Sequence, residues 1–251
     1  MFSPASLLLI FYAFVWTAED PLAGQKLPLD CELDTIVYHF PDGSVYEGQY
    51  CTEPEPESTN SEDMRVDSSE YLLERLQGQG SMRYPNGNVY QGTWEEGKPH
   101  GMGIMAFASG VVYDGAWNRG KMTGNGVLTS PSGNVYTGEF LNGRYHGRGR
   151  LEYYNGDLYE GDFLAGKKHG YGVYRYDVGG IYEGEWKNNR RSGNGLYTYA
   201  DGSMYQGELK LGKPNGQGIM VLPDGTVMKG EFIMGEFQEP DPNATVVVDN
   251  Q

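Results

Sequence analysis

Four sets of residues in this sequence could do chemistry, and each recurs at a fixed interval. Lys98, Lys121, Arg144, Lys167, Arg190 and Lys213 form a basic series, thickened in its middle by Arg148, Arg150, Lys168, Arg175, Lys187 and Arg191. Bases gathered in this way could hold phosphoinositide headgroups or an acidic protein surface, or could simply be solvated turn residues. Glu139, Asp162, Glu185, Glu208 and Glu231 form an acidic series. If successive members stand about 10 Å apart, they would suit the spaced carboxylates of an inverting glycosidase, but an open face offers no pocket, so a solvated row is expected. His100, His146 and His169 share a third series with Gln77, Thr123, Ser192 and Asn215. Neighbours about 10 Å apart cannot share one zinc ion, and a polar turn role is expected. Gly-x-Gly occurs seven times, from Gly78-x-Gly80 to Gly216-x-Gly218, without the third glycine and the helix of a dinucleotide site.

The elements that must carry these series are short and equal. Tyr90, Tyr113, Tyr136, Tyr159, Tyr182 and Tyr205, each opening a Tyr-x-Gly, recur every 23 residues, with Met228 in the seventh place and Tyr46 in an earlier copy. A period held without insertion means a stack of identical units. Within each unit, alternating residues such as Leu151/Tyr153 and Tyr182/Trp186 read as two strands. Dipeptides such as Asn86-Gly87, Asn155-Gly156 and Asp224-Gly225 between them supply the positive φ of a tight turn. The glycines of Gly-x-Gly and Tyr-x-Gly share parity with the aromatics. They are read as spaces for neighbouring rings, so Gly147 or Gly170 to valine should displace a ring. The expected fold class is all-β: an elongated open antiparallel sheet of stacked hairpins, about eight repeats long.

The pattern Tyr-x-Gly-x-Trp/Phe, Gly-Lys, His/Asn-Gly-x-Gly resembles the MORN (membrane occupation and recognition nexus) repeat family over residues 77–235, with a detached copy near 37–50. The resemblance implies a twisted sheet of hairpins serving as a scaffold, a dimerisation element or a membrane-associated module. It also implies a cytoplasmic location associated with cytoskeleton or membrane. Family members fused to kinase or methyltransferase domains exist, and neither domain is expected within this sequence.

Composition supports an unusual core: 38 Gly and 20 Tyr in 251 residues, with few aliphatics. The net charge of −15 is uneven, with −6 over residues 1–51, −6 over 52–76, +1 over 77–235 and −4 over 236–251. The repeat region is therefore nearly neutral, and overall acidity does not exclude an anionic partner. Residues 52–76 read as an insert whose first half is acidic and disordered and whose last part, 68–76, forms one or two helical turns with Leu72, Leu73 and Leu76 on one face. Residues 236–251 form an acidic tail in which Thr245–Val248 could cap the last repeat. The apolar run 5–16 is too short to span a bilayer and could be a signal-peptide core within 1–18, or a packed or membrane-inserting segment. Export would let Cys31 and Cys51, which flank the first hairpin, pair, and would let Asn243 carry glycan; the alternative is reduced thiols. The reading is of a non-enzymatic scaffold for protein partners that self-associates, with no cofactor, metal or nucleic acid. A peripheral module for anionic lipid is the second reading, and an uncatalogued hydrolase the third.

Overall fold

The computed structural model describes residues 31–52 and 68–239. The apolar N-terminal run, the acidic stretch of the insert from 53 to 67, Asn243 and Thr245–Val248 lie outside the described residues.

The strands are, in order, β1 (Glu32–His39), β2 (Val45–Thr52), β3 (Leu76–Arg83), β4 (Val89–Glu95), β5 (Lys98–Ala106), β6 (Val112–Asn118), β7 (Lys121–Thr129), β8 (Val135–Leu141) and β9 (Arg144–Glu152). They continue as β10 (Leu158–Leu164), β11 (Lys167–Arg175), β12 (Ile181–Lys187), β13 (Arg190–Thr198), β14 (Met204–Lys210), β15 (Lys213–Val221), β16 (Val227–Ile233) and β17 (Glu236–Phe237). All belong to one sheet. From β2 onward each strand pairs antiparallel with the next in sequence. A single helix among the described residues, α1 (Ser68–Leu73), precedes β3. It is shorter than the sequence suggests: Leu72 is buried, Leu73 is exposed, and Leu76 is already the first, fully buried residue of β3.

Two turn types alternate along the array. At Pro85-Asn86-Gly87 and its equivalents the Gly87 N–H donates to Tyr84 O, and Asn88 O accepts from Tyr84 N, a three-residue turn closed by a glycine at positive φ. Between Glu95 and Lys98 the turn has two residues, Glu96 and Gly97, both at positive φ (47° and 71°). That handedness matches the strand twist.

The core is a column of rings on one face. Tyr46, Tyr90, Tyr113, Tyr136, Tyr159, Tyr182 and Tyr205 are fully buried. Edge-to-face contacts link Tyr46, Trp94, Tyr90, Trp117, Tyr113, Phe140, Tyr136, Phe163, Tyr159, Trp186 and Tyr182 without interruption, at centroid distances of 4.8–5.4 Å. Such pairs add about 0.5–1.5 kcal/mol each beyond area burial. Leu209 stands where the next ring would be, and the contact resumes between Tyr205 and Phe232.

The glycines serve two purposes, not one. The second glycine of each Gly-x-Gly is the ring slot: a Cβ on Gly149 or Gly172 would come within 2.6 Å of Cε2 of Tyr136 or Tyr159. The first glycine is different, which corrects the expectation for Gly147 and Gly170. They have φ of +52° and +58°, and a Cβ there would meet the carboxylates of Glu139 and Asp162 instead of a ring. These are bulge positions. Gly138 faces Gly149 while Glu139 faces His146, so Gly147 and Arg148 are extra residues on β9.

Candidate functional site

The bulge explains the acidic series. It takes the Arg148 N–H out of the ladder, and Glu139 Oε1 accepts it at 2.8 Å. Asp162 Oδ2 accepts from Tyr171 N (2.9 Å), and Glu185 Oε1 accepts from Asn194 N (2.9 Å). These three carboxylates are therefore tied to the backbone, and the expectation of a purely solvated row is corrected for them. The carbonyls of the same column are taken by the buried tyrosines: each hydroxyl donates to the carbonyl three residues on, at 2.6–3.0 Å, as Tyr136 does to Glu139 O and Tyr159 to Asp162 O. Burial raises the pKa of these phenols, to about 12 for Tyr113 and Tyr205 and further for Tyr136, Tyr159 and Tyr182. They stay protonated donors.

The histidines stand opposite carboxylates and not beside one another. His146 faces Glu139, His169 faces Asp162, and His100 Nδ1 lies 2.7 Å from Glu95 Oε2. Among the described residues no group of three or more His, Cys, Asp or Glu could hold a metal ion. Both cysteines, Cys31 and Cys51, are disulfide-bonded.

The basic series and the bases that thicken it divide into three sets on different surfaces, so the structure does not gather them in one place. Lys98, Lys121, Arg144, Lys167, Arg190 and Lys213 each open a strand directly after a two-residue turn and are exposed. They make no ion pair among the described residues. Arg148 and Arg150 lie on the face away from the ring column and are matched by acids: Arg148 with Asp162 at 3.3 Å, Arg150 with Glu152 and Glu160, both at 3.0 Å. Arg175 also reaches Glu160, at 3.1 Å. Lys187 is exposed at the end of β12.

Lys168 and Arg191 belong to neither set. Each is the second residue of its strand, so strand alternation turns it to the ring face. Lys168 Nζ lies 4.5 Å from the ring centroid of Tyr174, 4.7 Å from Trp186, 5.3 Å from Tyr159 and 5.5 Å from Tyr153. It also donates to Tyr153 Oη at 3.1 Å. Arg191 Cζ sits 4.8 Å above Tyr197 and 5.6 Å from Tyr182, and Nη2 donates to Gly212 O at 3.0 Å.

Around these cations the ring face stays half open. Tyr153, Tyr176, Tyr197 and Tyr199 are partly buried against the column, with Tyr174 buried at its side. Tyr174 and Tyr176 lie 4.5 Å apart, and Tyr197 and Tyr199 4.0 Å apart. Sequence reasoning missed this cluster, although a signal was present. The repeat column that holds Lys168 and Arg191 is otherwise Pro99, Met122, Tyr145 and Pro214, and two cations in such a column mark a departure.

Sheet, turns and ring column together define a single-layer array of 23-residue hairpin repeats. The MORN repeat family matches residues 75–89, 90–112, 113–135, 136–158, 159–181, 182–204 and 205–227, and the chain belongs to that family. The hairpin at Tyr46 precedes these matched ranges but makes the same tyrosine bond, to Gln49 O at 2.6 Å. Among curated proteins none matches the sequence. Among solved structures the chain is similar to the TCP domain of SAS-4 (dCPAP) of Drosophila melanogaster in complex with a proline-rich motif of Ana2 (dSTIL), with 16% identity, 70% of this chain and 95% of that chain covered, and a TM-score of 0.38. It is also similar to the TCP10 domain of Danio rerio CPAP in complex with a STIL peptide (12% identity, 78% and 98% covered, TM-score 0.33). A third is selenomethionine-substituted virginiamycin B lyase from Staphylococcus aureus (12% identity, 86% and 76% covered, TM-score 0.16). At these TM-scores the likenesses carry no argument about this chain.

Proposed function

We propose that this chain is a non-enzymatic scaffold that binds protein partners on its ring face and self-associates through an end of the sheet. The observation that carries the reading is the half-open aromatic row running from Tyr84 and Phe107 through Tyr153, Tyr176, Tyr197 and Tyr199, packed from below by the fully buried column. Among the described residues no second sheet lies over this row. Rigid tyrosines with one polar atom are residues that interfaces favour, because they bring large contact area at low entropic cost. Self-association rests on the open sheet: β17 is two residues long and pairs with β16 only at Phe232 and Ile233. Affinity capture at high salt with wild type, Tyr176→Ala and Tyr199→Ala tests the first part. Partners retained by wild type and lost by both variants support it; partners retained equally by all three refute it. Sedimentation over a wide concentration range tests the second, which strict monomers would end.

The exposed basic edge favours a second reading, a peripheral module for anionic lipid. Six bases in one register column without ion pairs among the described residues could each contribute about 1 kcal/mol near an anionic membrane. Salt-sensitive binding to phosphatidylserine vesicles, lost on Lys98→Glu with Lys121→Glu, would support it; binding unaffected by salt and by those changes would remove it.

A further inference from the structure

The repeat gives a rule for the column of Pro99, Met122, Tyr145, Lys168, Arg191 and Pro214: the side chain turns to the ring face. Tyr145 shows the arrangement most fully, stacked on Tyr136 at 3.7 Å with ring planes 11° apart. An apolar side chain meets this need without loss of hydration. A cation meets it only by leaving water, and burial is the main cause that lowers the Lys168 pKa to about 8, with Asp157 opposing and Arg191 adding to the fall. Contacts over the rings and the bonds to Tyr153 Oη and Gly212 O offset part of that loss. Two cations in an otherwise apolar or aromatic column still break the local rule of the repeat, and such breaks mark candidate functional positions.

The charges around the pair are poorly balanced. No ion pair among the described residues includes Lys168 or Arg191. The carboxylate that acts on Lys168 is Asp157, and its oxygens are already engaged by Tyr174 Oη (2.7 Å), Asp177 N (2.9 Å) and Asn155 Nδ2 (3.1 Å). Arg191 Nη1 is buried and has no acceptor among the described residues. Two cations in adjacent repeats thus face an aromatic surface rich in tyrosine, with one committed acid acting on Lys168.

We propose that Lys168 and Arg191, framed by Tyr174, Tyr176, Tyr197 and Tyr199, form a recognition site for an acidic segment of a protein partner, taking its side-chain carboxylates between the cations and its apolar groups on the rings. The inference rests on the scaffold reading and names the chemistry of the partner. A carboxylate is favoured because neither cation has an ion-pair partner among the described residues, and a charge-assisted bond would offset the desolvation of Lys168. The exposed edge bases do not share this surface and are not part of the site.

The test uses the full chain and a short labelled peptide alternating Phe and Glu, with a Phe/Gln counterpart, read by fluorescence anisotropy. Wild type should bind the Glu peptide at least about tenfold more tightly, since hydrogen bonds to charged groups are the stronger class. Lys168→Met and Arg191→Met should each lose about that factor for the Glu peptide and little for the Gln peptide. Met122 already occupies the same column, so the methionine variants should keep the fold, which unchanged thermal melts would verify. Lys98→Gln with Lys121→Gln should bind as wild type. Equal binding of the two peptides by wild type, no binding of either, or no loss in either methionine variant overturns the inference. So does loss of binding to phosphoinositide vesicles in Lys168→Met with no effect on peptide. The scaffold reading survives that failure if Tyr176→Ala and Tyr199→Ala abolish binding of both peptides, and falls with it if they do not.

Discussion

Adding one methyl group at Gly172 tests the ring-slot account directly. A Cβ there would lie within 2.6 Å of Cε2 and Cζ of Tyr159. The ring has little room to retreat: Tyr159 is fully buried, touches Phe163 and Trp186 edge-to-face at 5.1 and 5.2 Å, and donates to Asp162 O at 3.0 Å. Overpacking costs about 1–3 kcal/mol, and pulling the hydroxyl from its carbonyl about 1–3 more, so Gly172→Ala should cost about 2–6 kcal/mol. For a chain of this length that is a fall in Tm of about 10 °C. Gly120→Ala is the control: nothing lies within 4 Å of its Cβ, and its φ of +78° alone should cost about 1–2 kcal/mol. Gly147→Ala should fall between them: its Cβ would come within 2.5 Å of the Glu139 carboxylate oxygens, which a flexible side chain can withdraw, at the cost of releasing the Arg148 N–H. Scanning calorimetry or circular-dichroism melts would rank the three. If Gly172→Ala melted at the same temperature as Gly120→Ala, the slot would not be a slot.

The acidic column should behave as a backbone acceptor: Asp162→Ala should cost about 1–2 kcal/mol through the orphaned Tyr171 N–H, while Asp162→Asn should recover most of it, and equal melts for the two would refute the bond. Stability should also depend on pH in two opposite ways. Lys168 keeps its proton in the unfolded chain up to about 10.5 but loses it near 8 when folded, so its contribution rises with pH between those values; Lys168→Met should lack that rise in a series of melts. The buried phenols have folded pKa values above the unfolded 10.0, so their contribution is full below pH 10 and is lost above it; tyrosinate absorbance and unfolding should appear together there, and free ionisation of Tyr113 or Tyr205 in the folded state would contradict the burial. If the apolar run 5–16 is a signal-peptide core, the secreted product should begin near Glu19, keep Cys31 and Cys51 without free thiols and accept glycan at Asn243; an intact Met1 in a soluble cytosolic protein would end that reading.

The hairpin array was legible because a 23-residue period carries its own redundancy: six Tyr-x-Gly copies at that step and the Asn-Gly or Asp-Gly turns all point to the same strands. Strand parity was legible for the tyrosines for the same reason. What parity could not give was the bulge. Gly147 and Gly149 are two residues apart and look equivalent in a regular strand, yet the extra residue puts the first beside Glu139 and the second beneath Tyr136. Strand alternation by itself separates Tyr145 on the ring face from Arg148 and Arg150 on the other, so bases that stand close in sequence do not share one surface. Helix α1 ends at Leu73 and not at Leu76 because Leu76 pairs opposite Tyr50 in the sheet, a long-range contact that local periodicity does not encode.

In an array built of equal units, conserved chemistry within the period is spent on holding the units together. The tyrosine hydroxyls serve bulge carbonyls, three of the carboxylates serve bulge N–H groups, and the indoles of Trp94, Trp117 and Trp186 serve the carbonyls of Gly80, Gly103 and Gly172 at 2.9–3.1 Å. A feature repeated in every unit therefore says little about a specific partner, since it would give each repeat the same affinity. Selectivity has to come from positions where one unit differs from the next. Lys168 and Arg191 are such positions: they break an otherwise apolar or aromatic column in two adjacent repeats, and Tyr174 and Tyr197 stand beside them where earlier repeats place Met82, Met105, Leu128 and Leu151. The regular columns make the surface, and the exceptions within them decide what it recognises.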